Sequence, residues 1–530
     1  MSTLDLDAFS RMPTAAETEP PGAFPDDPES LPAGSVVDGA TIVGTEEQEF
    51  DFVVVGSGAA GGVAAHVLAD AGLRVAIVEE GAWFRTRQFQ LSVQPAFKAL
   101  YRDAGGFVIQ GRTFIPLLQG VCVGGGTTVN SAIAWRLPDD VYADWGARFG
   151  LENVLNERNL GPCFEDLERT LNVHPVEEEI LGRNNTLMRD GMVALGIRPH
   201  VIDRYARGCR GSARCAQGCP NGAKLSTALT YVPWALKKGA RLFTQAKVQH
   251  VIVSGGRAKG VVAATAGKGT LRLRATRGVV VAASTVQTPN LLRRSGLKSK
   301  AIGQNFMAHP GVGLGAFYGD DVSSNRGVTQ AMETIHFRRT HRFKLESIAL
   351  APELAAVRIP GFGANLVRRL ADFRRLAIWG VQVRAYATGK VDSFAGADRV
   401  RYTLGPEDVR IAKKGLRTLA EIAFATGARE VMPGIHGLPE TLTSPDQLGL
   451  IDQAPDDPRH YMFIATHLFG AARMGPDRGT SAVGLDFATH EVERLFVVDS
   501  SVFPSNIGVN PQHAIMAVAM LAARGIAARA

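Results

Sequence analysis

The feature that most constrains this chain is a glycine turn near its start. Phe50-Asp-Phe-Val-Val-Val, a short β-branched apolar run, leads directly into Gly56-Ser57-Gly58-Ala59-Ala60-Gly61. Such a run reads as a buried parallel strand. Gly61 to Gly72 then has helical spacing, with Ala and Leu on one side, and Leu73–Val78 reads as a second strand ending in Glu79-Glu80-Gly81. Strand, turn, helix and strand in close succession make a βαβ unit. In that setting G-x-G-x-x-G has a mechanical meaning. Gly56 permits the tight turn, Gly58 lets the backbone approach a pyrophosphate, and Gly61 lets helix pack closely on strand. The helix start offers free N–H groups and positive dipole to the anion. Glu79, close to the ~20 residues expected downstream, is placed to accept hydrogen bonds from ribose hydroxyls. The motif defines a dinucleotide site without choosing between NAD and FAD.

A second glycine-rich stretch, Gly120-Val-Cys-Val-Gly124-Gly125-Gly126-Thr-Thr128-Val129-Asn130, is apolar between its glycines. Its plain use is a backbone that comes close to a flat ligand. Lys247–Val253 and Gly260–Thr265 read as strands joined by a turn beginning Ser254-Gly-Gly, and Leu271–Ala275 and Gly278–Ala283 as further strands. Residues 325–400 mix strand and helix patterns, with Pro360-Gly-Phe-Gly363 as a breaker. The C-terminus returns to the opening pattern: strand Leu495–Val498, then Asp499, a polar loop and a helix from Pro511.

Charge is unevenly distributed. Residues 1–50 carry eleven acidic side chains and one basic one, Arg11, a sum of −10, so a net charge of +7 leaves +17 on the rest. The arginines are scattered and no nucleic-acid motif appears. The acidic, Pro-rich leader is therefore expected to lie along the basic body or to stay disordered, and no nucleic-acid partner is expected. No apolar run reaches the ~20 residues of a membrane span, and no secretory signal is visible, so the expected location is cytoplasmic.

Taken together, these stretches resemble the glucose–methanol–choline (GMC) oxidoreductase family. The βαβ start, the Val-Gly-Gly-Gly-Thr-Thr-Val-Asn segment, Val279-Val-Val-Ala-Ala-Ser-Thr-Val-Gln-Thr-Pro289, Ile302-Gly-Gln-Asn-Phe-Met-Ala-His309 and the C-terminal block occur in the family's order across roughly residues 50–530. The resemblance implies an α/β fold: a Rossmann-like FAD-binding domain interleaved with an antiparallel-sheet α+β substrate domain. The expected organisation is a leader over 1–48, an FAD-binding domain over 49–310 with a cysteine-rich insertion at 205–225, a mainly substrate-domain segment over 311–460, and a return to the FAD domain over 461–530. By the same resemblance Gly124, Gly125, Thr128 and Asn130 belong to the flavin site, and Val248 meets the adenine through its backbone. Members with a histidine-linked flavin carry His just before that Asn. Val129 stands here, so FAD is expected to be non-covalent.

Alcohol oxidation requires the hydroxyl proton to leave and a hydride to reach the flavin N5. A neutral imidazole suits the first task. His467, in Ala465-Thr-His467-Leu-Phe-Gly, matches the family's catalytic His block, and Asn510, in Gly508-Val-Asn510-Pro511, its partner position. Asn before Pro is also a sound helix start, with Asn as N-cap and Pro at the first helical position. The helix N-terminus at Pro511 would face the flavin's pyrimidine edge, and His513 is a rival base. Asp499 fits ribityl or phosphate contacts through the nearby backbone, or is a plain strand-end acid. Cys209, Cys215 and Cys219 read as packed thiols in a Gly-rich loop, with an iron–sulfur cluster or a metal as alternatives.

Residues 345–385 look like the substrate segment of long-chain alcohol oxidases and imply an apolar primary or secondary alcohol, with O2 or another electron acceptor. The alternatives are a lyase or photochemical decarboxylase of the family, and a flavin subunit passing electrons through a cysteine-bound cluster. Retention of His467 and Asn510 favours alcohol oxidation.

Overall fold

A computed structural model describes residues 14–89 and 92–530. Two sheets organise the chain. The first has eight strands and follows the order Val36–Asp38, Arg241–Thr244, Val75–Val78, Thr45–Val55, Thr270–Val281, Arg257–Thr265, Ala246–Ser254, with Leu495–Val497 also paired to Thr270–Val281. Its centre is parallel: Phe52–Val55 pair with Val75–Val78 and Gly278–Val281, which is why these runs are continuously apolar and fully buried. The expected βαβ unit is present, its helix spanning Ala59–Asp70. The expected hairpin is present as Ala246–Ser254 with Arg257–Thr265, and the two strands expected between 271 and 283 are one strand, Thr270–Val281, whose pairing with Thr45–Val55 is irregular between Ala275 and Gly278.

The second sheet has eleven strands. Its spine is the long strand Gln304–Phe317, which pairs antiparallel with Leu376–Val383, Gly389–Phe394, Glu430–Met432 and Ile464–Phe469. One pair departs from the expected antiparallel pattern: Ala397–Arg401 runs parallel to Val108–Gln110. The twenty-residue helix Pro406–Ala425 seals this sheet with Val409, Ala412, Leu416, Leu419 and Ala420 fully buried. The chain crosses between the two sheets repeatedly, so each contains early and late segments.

The acidic leader, from residue 14 onward, lies on the body. Val36–Asp38 adds an edge strand to the first sheet, and the strand at Thr45 begins before the boundary expected at residue 48. Phe24 is buried, the Thr86 backbone N–H donates to Asp26 at 2.6 Å, and Arg87 pairs with Asp27 at 3.0 Å. Residues 1–13 of the leader lie outside the described residues.

Candidate active site

The two sheets enclose a cavity of about 530 Å³, within the range of ligand pockets. One end is the glycine turn. Gly56, Ser57, Gly58, Ala59 and Ala60 line it, together with Glu79, Gly125, Asn130 and Val248. His467, Asn510 and Pro511 line the same space, as does Asp499.

The glycine turn is built as its spacing requires. Gly56 has φ +98°, and a Cβ there would lie 2.4 Å from the Ala282 carbonyl. A Cβ on Gly61 would lie 1.9 Å from the Gly56 carbonyl, so this glycine fixes helix against strand and does not itself face the cavity. A side chain on Gly125 would come to 3.2 Å from Gly58 Cα; the two glycine-rich loops meet backbone to backbone. The start of a twelve-residue helix thus lines the cavity, where its opening N–H groups would suit an anion.

Glu79 is more committed than the sequence suggests. Its carboxylate accepts from Ser57 N at 3.1 Å, Ser57 Oγ at 2.6 Å and Gly81 N at 2.9 Å. A carboxylate has about four lone-pair sites, so about one is left for a ribose hydroxyl. Burial pushes its pKa up. Its neighbour Glu80, also on the cavity wall, differs: burial would raise it, but Arg102 at 2.8 Å and Lys247 at 2.9 Å hold it down at about 2. Val248 sits at a register shift between Val248 and His250, an irregularity that loosens the backbone pairing beside the cavity.

Gly124 and Thr128 stand behind the wall. The Gly124 N–H donates to Ser57 Oγ at 3.0 Å, and Thr128 Oγ1 donates to the Val123 carbonyl at 2.9 Å. They shape the loop from within and do not line the cavity. Asn130 does line it and ties the loop to the catalytic turn: its Nδ2 donates to Gln512 Oε1, and its Oδ1 accepts from Ala132 N at 3.0 Å. Val129 lines the cavity as well, presenting no nucleophile. Asp499 spends its carboxylate inside the protein, on Ser284 N at 3.0 Å, Ser501 N at 2.8 Å and Thr288 Oγ1, and burial raises its pKa. Of its two expected roles, the side chain therefore serves as the strand-end acid, leaving ligand contacts to the backbone around it.

His467 lies on the strand Ile464–Phe469, directly opposite His309 on the long central strand, the rings 5.6 Å apart and nearly perpendicular. Its Nδ1 is buried and meets no hydrogen-bond partner among the described residues. Burial, reinforced by the charge of Lys344, lowers its pKa to about 3, so the ring is neutral at any physiological pH. His309 is held neutral by burial too; its Nε2 accepts the Gly508 N–H at 2.8 Å and so pins the turn that carries Asn510.

Asn510 is not a helix cap. The helix spans Gln512–Ala528 with Pro511 preceding it, and the Asn510 side-chain oxygen accepts from the ammonium of Lys344. Its residues were expected to cap because Asn-Pro does so in isolation; a buried cation competes for the same oxygen here. His513 falls out as a rival base. It is buried against Phe164 and Tyr205, with Nε2 3.3 Å from Glu168, and does not reach the cavity.

The cysteine segment holds no metal cage: among the described residues no three His, Cys, Asp or Glu side chains converge on such a site. Cys209, Cys215 and Cys219 are free thiols whose neighbours are cations. Arg204 donates to Cys215 Sγ at 3.3 Å, and the fully buried Lys224 donates to the carbonyls of Thr128, Asn130 and Cys215 at 2.6, 2.7 and 2.8 Å. Burial lowers the Lys224 pKa to about 8. The segment is a clasp on the second glycine loop.

Sequence reasoning missed Lys344, Glu333, Gln512, Lys224, Arg204 and the role of His309. Phe343-Lys-Leu-Glu-Ser347 alternates apolar and polar residues, which reads as a half-exposed strand. All five residues are buried, and of the polar ones Glu346 lines the cavity while Lys344 and Ser347 do not. An intact Lys–Glu pair inside a strand is a weak signal of this; nothing marked the others.

A dinucleotide cradle at the parallel sheet, an imidazole on the antiparallel one and an amide in the turn before the last helix face a common cavity, the arrangement of a nucleotide-dependent oxidoreductase. The chain belongs to the GMC oxidoreductase family: its N-terminal family model matches residues 50–311 and its C-terminal model residues 392–519. FAD is the cofactor of this family, and the cradle fits it. An uncharacterized GMC-type oxidoreductase of Mycobacterium tuberculosis is 38% identical over 476 residues, covering 89% of this chain and 75% of that protein. A long-chain-alcohol oxidase of Arabidopsis thaliana, FAO4A, is 30% identical over 497 residues, covering 88% and 67%. Among solved structures a formate oxidase of Aspergillus oryzae superimposes with a TM-score of 0.71 at 16% identity, covering 91% of this chain and 99% of that one, a likeness of fold. No helix among the described residues is long and apolar enough to cross a membrane.

Proposed function

We propose that this protein oxidises an apolar primary or secondary alcohol to its carbonyl compound. Bound FAD supplies the hydride acceptor. The observation that supports the reading is one cavity lined at once by the glycine turn, by His467 and Asn510, and by the apolar side chains of Val312, Ile348, Leu350, Leu354, Ile378 and Ile464. An alkyl or ring system is drawn to such a wall by burial, at roughly 25 cal/mol per Å². His467, neutral and open to the cavity, takes the hydroxyl proton. Its low basicity means that it accepts that proton only as negative charge develops on the oxygen. Asn510 donates a hydrogen bond to the same oxygen and steadies the charge. Pro511 and the helix behind it set a positive dipole end at the cavity. Gly56 to Ala60 hold the pyrophosphate, Glu79 the ribose, and Val129 leaves the flavin non-covalently bound.

Within residues 345–385, Ile348-Ala-Leu-Ala351 and Ile378 line the cavity, whereas Phe362 beyond the breaker is 87% exposed. Selectivity is tested with a homologous series of straight-chain, aromatic and polycyclic alcohols against glucose. Catalytic efficiency should rise with apolar size. A preference for glucose or another polyol would overturn the assignment. Rapid reoxidation with peroxide on admitting O2 marks an oxidase; slow reoxidation marks a dehydrogenase with another acceptor.

A further inference from the structure

The side chain behind Asn510 is the strongest unassigned feature of the site. Lys344 is fully buried, and its ammonium meets the Asn510 oxygen and the carboxylates of Glu333 and Glu346, the latter at 3.4 Å. Glu333 and Glu346 are register partners on adjacent strands, so two backbones fix the position of the charge. Glu333 is fixed further by Trp135 Nε1 at 2.7 Å and His200 Nδ1 at 3.0 Å.

We propose that Lys344 is a positioning residue: it orients the Asn510 amide so that the nitrogen, not the oxygen, is presented to the reacting oxygen of the substrate. An ammonium has three donors and no acceptor, so only Oδ1 of Asn510 can face it. The amide is planar, and Nδ2 is then directed away from Lys344, on a side chain that lines the cavity. Without that constraint the amide can rotate by half a turn and set its oxygen against the oxygen it has to stabilise. Lys344 touches neither substrate nor flavin in this scheme and acts through Asn510. The inference rests on Asn510 meeting the substrate oxygen.

The test is a double-mutant cycle on the holoenzyme, Lys344→Met with Asn510→Ala, read as the anaerobic rate of flavin reduction and the apparent substrate Kd. Lys344→Met should slow reduction roughly 10- to 100-fold, less than the ~10²–10³ of losing such a donor outright. Apparent Kd should change less than about threefold. The double variant should be no slower than Asn510→Ala alone, since residues acting in series are not additive. Multiplying losses would overturn the proposal. If Asn510→Ala leaves the rate unchanged, the catalytic reading of Asn510 fails first, and this inference with it.

Lys344→Met leaves Glu333 without its cation and can prevent folding; Glu333→Gln combined with Lys344→Met restores the charge balance and serves in the same cycle. Asn510→Asp supplies a readout independent of turnover. A carboxylate beside Lys344 gains an ion pair while losing the donor. The melting temperature, with or without FAD, should be held or raised while reduction collapses. A fall of many degrees would mean that the ammonium does not face residue 510.

Discussion

In the proposed reaction His467 takes the proton, and the fold holds its ring neutral by burial. Replacement by Ala should slow flavin reduction by ~10²–10⁴, the usual worth of a general base, in anaerobic stopped-flow measurements. The same variant gives a pH test. A His whose folded pKa lies near 3 and whose unfolded pKa lies near 6.5 contributes full stability above 6.5 and loses it as pH falls through that window. Wild type should therefore lose stability relative to His467→Ala by up to ~1.4 kcal/mol per pH unit below 6.5, followed by denaturant melts. A difference independent of pH would mean that folding does not shift the titration of the ring. Gly61→Ala is the sharpest probe of the nucleotide end. With 1.9 Å to the Gly56 carbonyl, the helix has to shift, and the purified protein should be largely flavin-free.

At the scale of elements, the nucleotide unit was legible because every level agreed: β-branched strands, glycines at a mechanical spacing and an Ala-rich helix. The proposed pair, His467 and Asn510, could be singled out only through motif resemblance, since they stand 43 residues apart and come to one cavity from a strand of the second sheet and a turn that follows a strand of the first. The buried charges at and behind the cavity wall were not legible. Lys344, Glu333 and Glu346 occupy short strands whose alternation is that of a solvent-facing strand, and the sequence carries no mark of which side is covered. The cysteine segment was ambiguous for a different reason: spacing brings thiols near one another, but their partners, Arg204 and Lys224, come from outside the cysteine cluster or from its last position. Lys224 joins that segment to the second glycine loop through three carbonyls. Lys224→Met should cost more than ~2 kcal/mol, because buried carbonyls lose their donor, and should weaken FAD binding in a fluorescence titration. Unchanged FAD affinity would reduce the clasp to a packing feature.

For the molecule as a whole, interleaving means that neither sheet is completed by one stretch of chain, and the leader takes part in closing it. Phe24 packs under Gly222 of the cysteine segment, where a Cβ would meet its ring at 2.6 Å, and beside Arg87. Phe24→Ala should destabilise by about 3 kcal/mol, in the range of buried aromatic truncations, and lower the melting temperature of the holoenzyme. A neutral effect would make the leader a surface ornament.

In the proposed reaction a flavin and an imidazole serve one substrate in one cavity. The direct measurement is anaerobic mixing of the purified yellow protein with a long-chain or aromatic alcohol, wild type beside His467→Ala, following the flavin absorbance. Rapid bleaching in the wild type, slowed at least a hundredfold in the variant, is the predicted result. Full flavin occupancy with no bleaching by any apolar alcohol, or equal bleaching in both proteins, would contradict it.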